Sequence, residues 1–332
     1  MDTLFVITIL IVIGALIFDF INGFHDTANT IATSVSTKAL KPRHAILLAA
    51  VMNFIGALTF TGVAKTITKD IVDPFTLHNG SLVILAALIS AIVWNLITWY
   101  YGIPSSSSHA IIGAIAGAAI ASAGFTALNY TGFIKILEAL LISPILAFVI
   151  GFIIYTIFKV FLKNHNLTKT NQRFRIYQIA TAAIQSYSHG TNDAQKAMGI
   201  ITLALISNNY LSSADIPFWV QLSCATAMGL GTSIGGWKII QTVGGKIMKL
   251  RPVNGVAADL SSALIIFGAT YVHLPVSSTH VISSSILGVG ASHRRKGVQW
   301  NTAKRIIITW VITLPISAAL AAILYWIMDF FF

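Results

Sequence analysis

Two short stretches decide how this chain is read: GIPSSSSHA at residues 102–110 and HLPVSSTHV at residues 273–281. Each places a proline, a run of hydroxyl side chains and a histidine inside apolar sequence. Proline suits the first turn of a helix, because the N–H it lacks would be unpaired there anyway. Serine is a good N-cap. The two stretches therefore predict helix starts, opening helices over 104–124 and 275–290. The second is short for a full membrane crossing. In both cases another apolar segment, 81–101 or 255–272, ends almost directly before the proline. A re-entrant hairpin in each case is the economical reading, one entering from outside and one from inside, with the proline-serine tips meeting mid-membrane. Irregular backbone at that depth is tolerated only where it lines a cavity. A helix N-terminus there offers free N–H groups and the positive end of the helix dipole to an anion. The hydroxyls of Ser105, Ser106, Ser107, Ser108, Ser277, Ser278 and Thr279 add donors without adding charge. Such side chains also help helices pack in lipid, but two clusters at matched positions, each following a proline, favour a site around one tetrahedral oxyanion.

Composition sets the surroundings. Of the 332 residues 56% are hydrophobic and only 9% charged, with a mean hydropathy of +0.81; soluble domains carry roughly 25% charged residues. A membrane span needs about 20 apolar residues. The apolar stretches run over 3–30, 44–68, 81–101, 104–124, 133–162, 174–206, 217–247, 255–272, 275–290 and 303–331. These features predict an all-α polytopic protein with about 10–12 hydrophobic segments, set in the lipid of the cell membrane. The net charge of +11 does not point to nucleic acid, because the basic residues cluster between hydrophobic stretches. The clusters are Lys38, Lys41 and Arg43; Lys159, Lys163, Lys169, Arg173 and Arg175; Lys246, Lys249 and Arg251; and Arg294, Arg295, Lys296, Lys304 and Arg305. They mark cytoplasmic loops and place both termini outside. The outer loop 69–80 balances Lys69 with Asp70 and Asp73. A single cysteine, Cys224, excludes an internal disulfide. The N-terminal MDTLFVITIL lacks the basic region of a secretory signal, so it is read as a retained first helix.

Five segments precede the loop at 163–173 and five follow it, so the second half starts on the opposite side from the first. The motifs repeat in order. GFHDTAN at 23–29 aligns with GTNDAQK at 190–196, pairing Asp26 with Asp193. TFTGVAKTI at 59–67 aligns with TSIGGWKII at 232–240, and IPSSSSH at 103–109 with LPVSSTH at 274–280. The expected organisation is a first membrane repeat over 1–162, a cytoplasmic linker over 163–173 and an inverted second repeat over 174–332. Inverted repeats are the architecture of many secondary transporters, which bind substrate near the midplane where the repeats meet.

Asp26 and Asp193 lie within spans, where a carboxylate costs at least ~2.5 kcal/mol at a helix centre and so calls for a function. Nearby Gly23, Gly190, Asn22, Asn29 and Asn192 suggest that the first helix of each repeat is broken and unwound. Carboxylate, amide and carbonyl oxygens suit Na⁺, with Asp26, Asn29 and Asp193 as ligands; a desolvated carboxylate equally carries a proton. The repeats differ where Asn29 aligns with Lys196, whose ammonium takes the place of a cation, neutralises Asp193 or helps to hold an anion. His25, His109, His189 and His280 lie near these motifs, as packing residues or as a proton relay. Asp259 reads as a helix cap and Glu138 has no clear partner. Lys65 and Lys238 read as snorkelling side chains, and Trp94, Trp99, Tyr100 and Tyr101 as interface anchors.

GFHDTANTIATSV, PSSSSHA, SHGTNDAQKAMG and PVSSTHV together resemble the signatures of the inorganic phosphate transporter (PiT) family, in both halves and over essentially the whole chain. The resemblance implies a non-enzymatic secondary transporter, of the bacterial low-affinity permease type, that takes up inorganic phosphate by symport with H⁺ or Na⁺. It implies inverted repeats and a homodimer. It assigns Asp26, Asn29 and Asp193 to ion coupling, to which the residue reading adds Asn192 and Lys196, and Ser105 to Ser108 with Ser277 to Thr279 to phosphate. No cofactor is expected beyond the coupling ion, with a metal–phosphate complex as a further form of the substrate. Many members carry an amide where this chain has Lys196, which weakens the transfer of a sodium site to the second repeat. A sulfate permease on the same scaffold is the alternative. An intramembrane serine hydrolase is remote, because Pro-Ser-Ser lacks a nucleophile elbow. A channel is disfavoured by the paired acids.

Overall fold

The computed structural model describes residues 3–72 and 79–331; Asp73 of the outer loop and the first two residues of the chain lie outside them. The described residues form helices joined by short turns. In chain order these are α1 Thr3–His25, α2 Thr27–Ser36, α3 Pro42–Ala57, α4 Gly62–Asp70, α5 Gly80–Tyr101, α6 Ser107–Ala123 and α7 Tyr130–Phe161. There follow α8 Leu167–Ser207, α9 Phe218–Ile234, α10 Trp237–Gln241, α11 Pro252–Tyr271, α12 Ser278–Arg294 and α13 Trp300–Phe331. Among the described residues, five helical stretches are by length and composition able to cross a membrane, and a sixth if the bent pair α3–α4 counts as one span.

The element series recurs. A two-part segment (α3 and α4; α9 and α10) is followed by two helices joined by a short turn (α5 and α6; α11 and α12). A 3₁₀ turn (Phe125–Ala127; Arg295–Gly297) then leads into a 32-residue helix (α7; α13). Isolated antiparallel bridges, Val72 with Leu128 and Met248 with Val298, close the two series at matching places. Each long helix carries an internal proline, Pro144 or Pro315.

The second arms of the two hairpins lie at the centre. Every residue of α6 from Ser107 to Ala119 is buried, as is every residue of α12 from Ser278 to Gly290. A helix buried on all sides needs close neighbours, and small residues supply them. The long helix of each series covers the hairpin of the other. A Cβ on Gly117 of α6 would stand 2.1 Å from the Ala318 carbonyl oxygen of α13, and one on Gly288 of α12 would stand 2.0 Å from the Phe148 carbonyl oxygen of α7. Both are impossible contacts, so these glycines set the helix separation.

The structure corrects three sequence expectations. The first helix is interrupted at Asp26, between α1 and α2, but not at the second acidic motif, and at neither is it unwound over a stretch. α8 runs unbroken through Gly190, Asn192 and Asp193. At Asp26 the irregularity is a single residue with helical dihedrals, φ −86 and ψ −33, whose N–H still bonds the Asn22 carbonyl at 2.9 Å. The glycines serve packing instead. A Cβ on Gly190 would lie 2.3 Å from the Asn53 carbonyl oxygen, and one on Gly23 would lie 2.4 Å from that of Met228. The breaks fall in the next segments. Stretch 44–68 bends by 66° between α3 and α4, and 217–247 breaks at Gly235, where φ is +72. Asp259, expected as a cap, lies inside α11, whose first turn is closed by a capping box between Arg251 and Asn254.

Candidate functional site

The two helix starts are built alike. At each, a serine in extended conformation caps the helix: Ser106 Oγ accepts from the His109 N–H at 3.0 Å, and Ser277 Oγ from the His280 N–H at 3.3 Å. The next helical turns meet. The His109 and His280 rings lie 4.4 Å apart, and His280 stacks on Trp310 of α13 at 4.0 Å. Ser108 Oγ donates to the Val276 carbonyl at 2.8 Å, tying the first start to the lead-in of the second. The seven predicted hydroxyl residues are all buried, and Ser278 Oγ makes no hydrogen bond to the protein.

Asp26 sits where the starts converge. Ser107 of α6 donates to its Oδ2 at 2.5 Å, and Thr279 of α12 donates to its Oδ1 at 3.0 Å. His25 Nδ1 lies 2.6 Å from the same Oδ1. Thr279 also accepts from Asn29 Nδ2 at 2.8 Å, leaving the Asn29 Oδ1 without a partner. His25 continues through Nε2 to Thr98 at 3.2 Å, and Thr98 meets Ser105 at 2.7 Å. A carboxylate, an amide and hydroxyls from both hairpins thus form one connected network around Asp26.

Asp193 has a different environment. Lys196, one turn on along α8, holds its ammonium against the Asp193 Oδ1, and His189 Nε2 lies 3.4 Å from the Oδ2. All three side chains are fully buried. The ammonium therefore occupies the cation position on this carboxylate. Asn192 is spent on support: its Nδ2 donates to Thr270 and to the Leu274 carbonyl, and its Oδ1 accepts from the Val276 N–H. That amide positions the second hairpin's turn rather than facing an ion. His189 joins Asn53 at 2.9 Å through Nδ1.

Two further carboxylates are buried: Asp19, which no sequence motif marks, and Asp259, which reads in sequence only as a cap. Asp19 is completely buried in α1, and no hydrogen bond of full geometry reaches either of its oxygens. It shares a helix face with Asn22, three residues on, which Asp26, seven residues on, continues just beyond the last residue of α1. That spacing was the available signal, obscured by the apolar surroundings ALIFDFIN. Asp259 accepts from Thr33 at 2.7 Å and from Thr181 at 3.0 Å, joining α2, α8 and α11. Outside the core, Lys65 pairs with Asp215 at 2.6 Å on the exposed surface. Lys238 donates to the Tyr100 carbonyl and lies over the Tyr100 ring at 4.7 Å. Glu138 is exposed.

The profile of the phosphate transporter family matches residues 22–321, which takes in both helix starts, both acidic motifs and the network around Asp26. The chain belongs to that family. It is 78% identical, over the full length of both chains, to a probable low-affinity inorganic phosphate transporter of Bacillus subtilis (strain 168). It is 44% identical to a probable low-affinity inorganic phosphate transporter of Rhizobium meliloti (strain 1021), over 95% of this chain and 94% of the other. Among solved structures, one titled the sodium-dependent phosphate transporter superposes with a TM-score of 0.87 at 27% identity, covering 98% of this chain and all of the other. Family members of this kind are transporters and not enzymes, with several membrane-spanning helices, as expected of a multi-pass plasma-membrane protein.

Proposed function

We propose that this chain imports inorganic phosphate by cation symport with alternating access, and that the anion sits between the starts of α6 and α12. The observation that carries the reading is the position of Asp26, which receives one hydroxyl from each helix start. When phosphate enters, Ser107 and Thr279 turn from the carboxylate to the anion, so occupancy by substrate and the charge state of Asp26 are coupled. An acceptor at this place also favours phosphate over sulfate. At neutral pH phosphate still has a proton to donate, whereas sulfate has none and would meet only repulsion from Asp26.

The recurring element series, the matched motifs and the distribution of basic clusters support two repeats of inverted topology, 1–162 and 174–332, with both termini outside. Movement of one repeat against the other then exposes the site to either side. The Lys196 ammonium on Asp193 and the His25 contact of Asp26 favour H⁺ over Na⁺ as the coupling ion. A homodimer in the plasma membrane is part of the same reading, and cross-linking in native membranes tests it.

The deciding experiment is uptake of labelled phosphate into proteoliposomes with Na⁺ and pH gradients imposed separately. Phosphate accumulation driven by the pH gradient, and little competed by sulfate, is expected. Sulfate uptake without phosphate uptake would overturn the substrate assignment.

A further inference from the structure

The interior holds more negative charge than the Asp26 site uses. Asp19 and Asn22 lie on one face of α1, which Asp26 continues just beyond its last residue, and His189, Asp193 and Lys196 lie on one face of α8 at spacings of four and seven residues. These faces confront each other. Lys196 touches Asp193 and acts electrostatically on both Asp26 and Asp19. Three buried carboxylates thus share one ammonium. An anionic substrate adds further negative charge to an interior already in deficit, so positive charge must enter with it.

Asp19 is the carboxylate left without support. Ser107, Thr279 and His25 serve Asp26, while Lys196 and His189 serve Asp193; Asp19 has only the Asn22 amide beside it, and no hydrogen bond of full geometry reaches either of its oxygens. The groups facing it are few. From α8 come Lys196 and, behind it, Asp193 and His189. From α9 comes the Cys224 thiol, and on α1 itself come Asn22, His25 and Asp26. Neither α2 nor the part of α5 before Tyr100 carries an ionisable side chain. A dehydrated Na⁺ ion needs several oxygen ligands and is repelled by an ammonium; a proton needs only the carboxylate. At about 1.5 Å of rise per residue, Asp19 stands roughly 10 Å from Asp26 along α1, toward the helix N-terminus.

We propose that Asp19 is a second coupling site, specific for a proton, filled from the side on which α1 begins and linked to the substrate site through Lys196. With Asp19 protonated, the Lys196 ammonium balances Asp193 alone, and phosphate enters beside Asp26. Release of that proton on the other side restores the attraction of Lys196 for Asp19. This rests on the phosphate-symport reading.

The test compares wild type with Asp19→Asn and Asp19→Glu in proteoliposomes loaded with a pH-sensitive dye. Three readouts are taken: phosphate–phosphate exchange without a gradient, phosphate accumulation under an inward pH gradient, and protons entering per phosphate. The expected result for Asp19→Asn is that exchange persists, accumulation falls at least tenfold and the proton count drops by one. Asp19→Glu should recover accumulation. Unchanged accumulation and proton count in Asp19→Asn would overturn the proposal, as would joint loss of exchange and accumulation that glutamate does not rescue. Wild-type accumulation driven by Na⁺ alone would remove the proton site and leave phosphate transport standing. Absence of any phosphate movement in wild type would remove both.

Discussion

Thr279 reaches across 253 positions of sequence to donate a hydrogen bond to Asp26 at 3.0 Å. That single bond joins the start of the second hairpin to the acidic motif of the first helix. Ser107 completes the pair from the first hairpin. One hydroxyl of each cluster is thus held against a carboxylate, and these are the bonds that the proposed phosphate site would exchange. Hydrogen bonds to charged groups contribute about 1.5–3 kcal/mol each. Thr279→Ala and Ser107→Ala are each expected to raise the half-saturating phosphate concentration by roughly tenfold to a hundredfold. Uptake kinetics, alongside thermal unfolding to verify the fold, measure this.

The buried pair between Lys196 and Asp193 makes a different demand. Removing one partner leaves the other charge uncompensated, a loss of about 3–5 kcal/mol in buried pairs generally. Lys196→Met should lower the melting temperature in detergent markedly. Lys196→Met combined with Asp193→Asn should recover most of the loss. A double variant no more stable than Lys196→Met would show that the lysine acts through other partners.

Much of the centre was legible in the chain itself. Pro104 with Ser105–Ser108 and Pro275 with Ser277–Thr279 announce helix starts because a proline followed directly by capping hydroxyls suits a first helical turn, and the structure brings both starts to Asp26. The helix at Asp193 was misread because glycine and amide composition describes two situations equally well: an unwound helix, or a continuous helix approached closely by another. Only the position of the Asn53 carbonyl against Gly190 separates them. The 66° bend after Ala57 was hidden for a similar reason, since a bent span and a straight one share the same hydropathy. Asp19 belongs to no motif, and its isolation becomes visible only once its neighbours are in place.

Glycine positions offer a direct check of the packing. Gly117→Val forces atoms into the Ala318 carbonyl, and overpacking of this kind costs about 1–3 kcal/mol or more. Gly268 of α11 has open space around its would-be Cβ. Gly268→Ala should therefore be neutral or slightly stabilising, through helix propensity alone. Melting temperatures of the two variants test the contrast.

At the surface, Lys65 holds the Asp215 carboxyl below its ordinary range through a hydrogen bond and its charge. A carboxylate with a lowered value in the folded state adds stability above its unfolded value and loses it as pH falls through the folded one. Lys65→Met should therefore change the melting temperature only slightly at neutral pH, because both groups are solvated. Its effect should vanish in acid. A large effect at neutral pH would assign Lys65 a role beyond this pair.

The most direct measurement places the carboxylate between the hairpins under test. Phosphate binding to purified wild-type protein and to Asp26→Asn is followed by calorimetry across pH 5 to 8, with proton uptake recorded in two buffers of different ionisation enthalpy. The expected result is phosphate binding to wild type accompanied by proton uptake, and binding to Asp26→Asn with smaller uptake and an altered pH dependence. Identical proton uptake and pH dependence in both proteins would contradict the coupling of phosphate to Asp26.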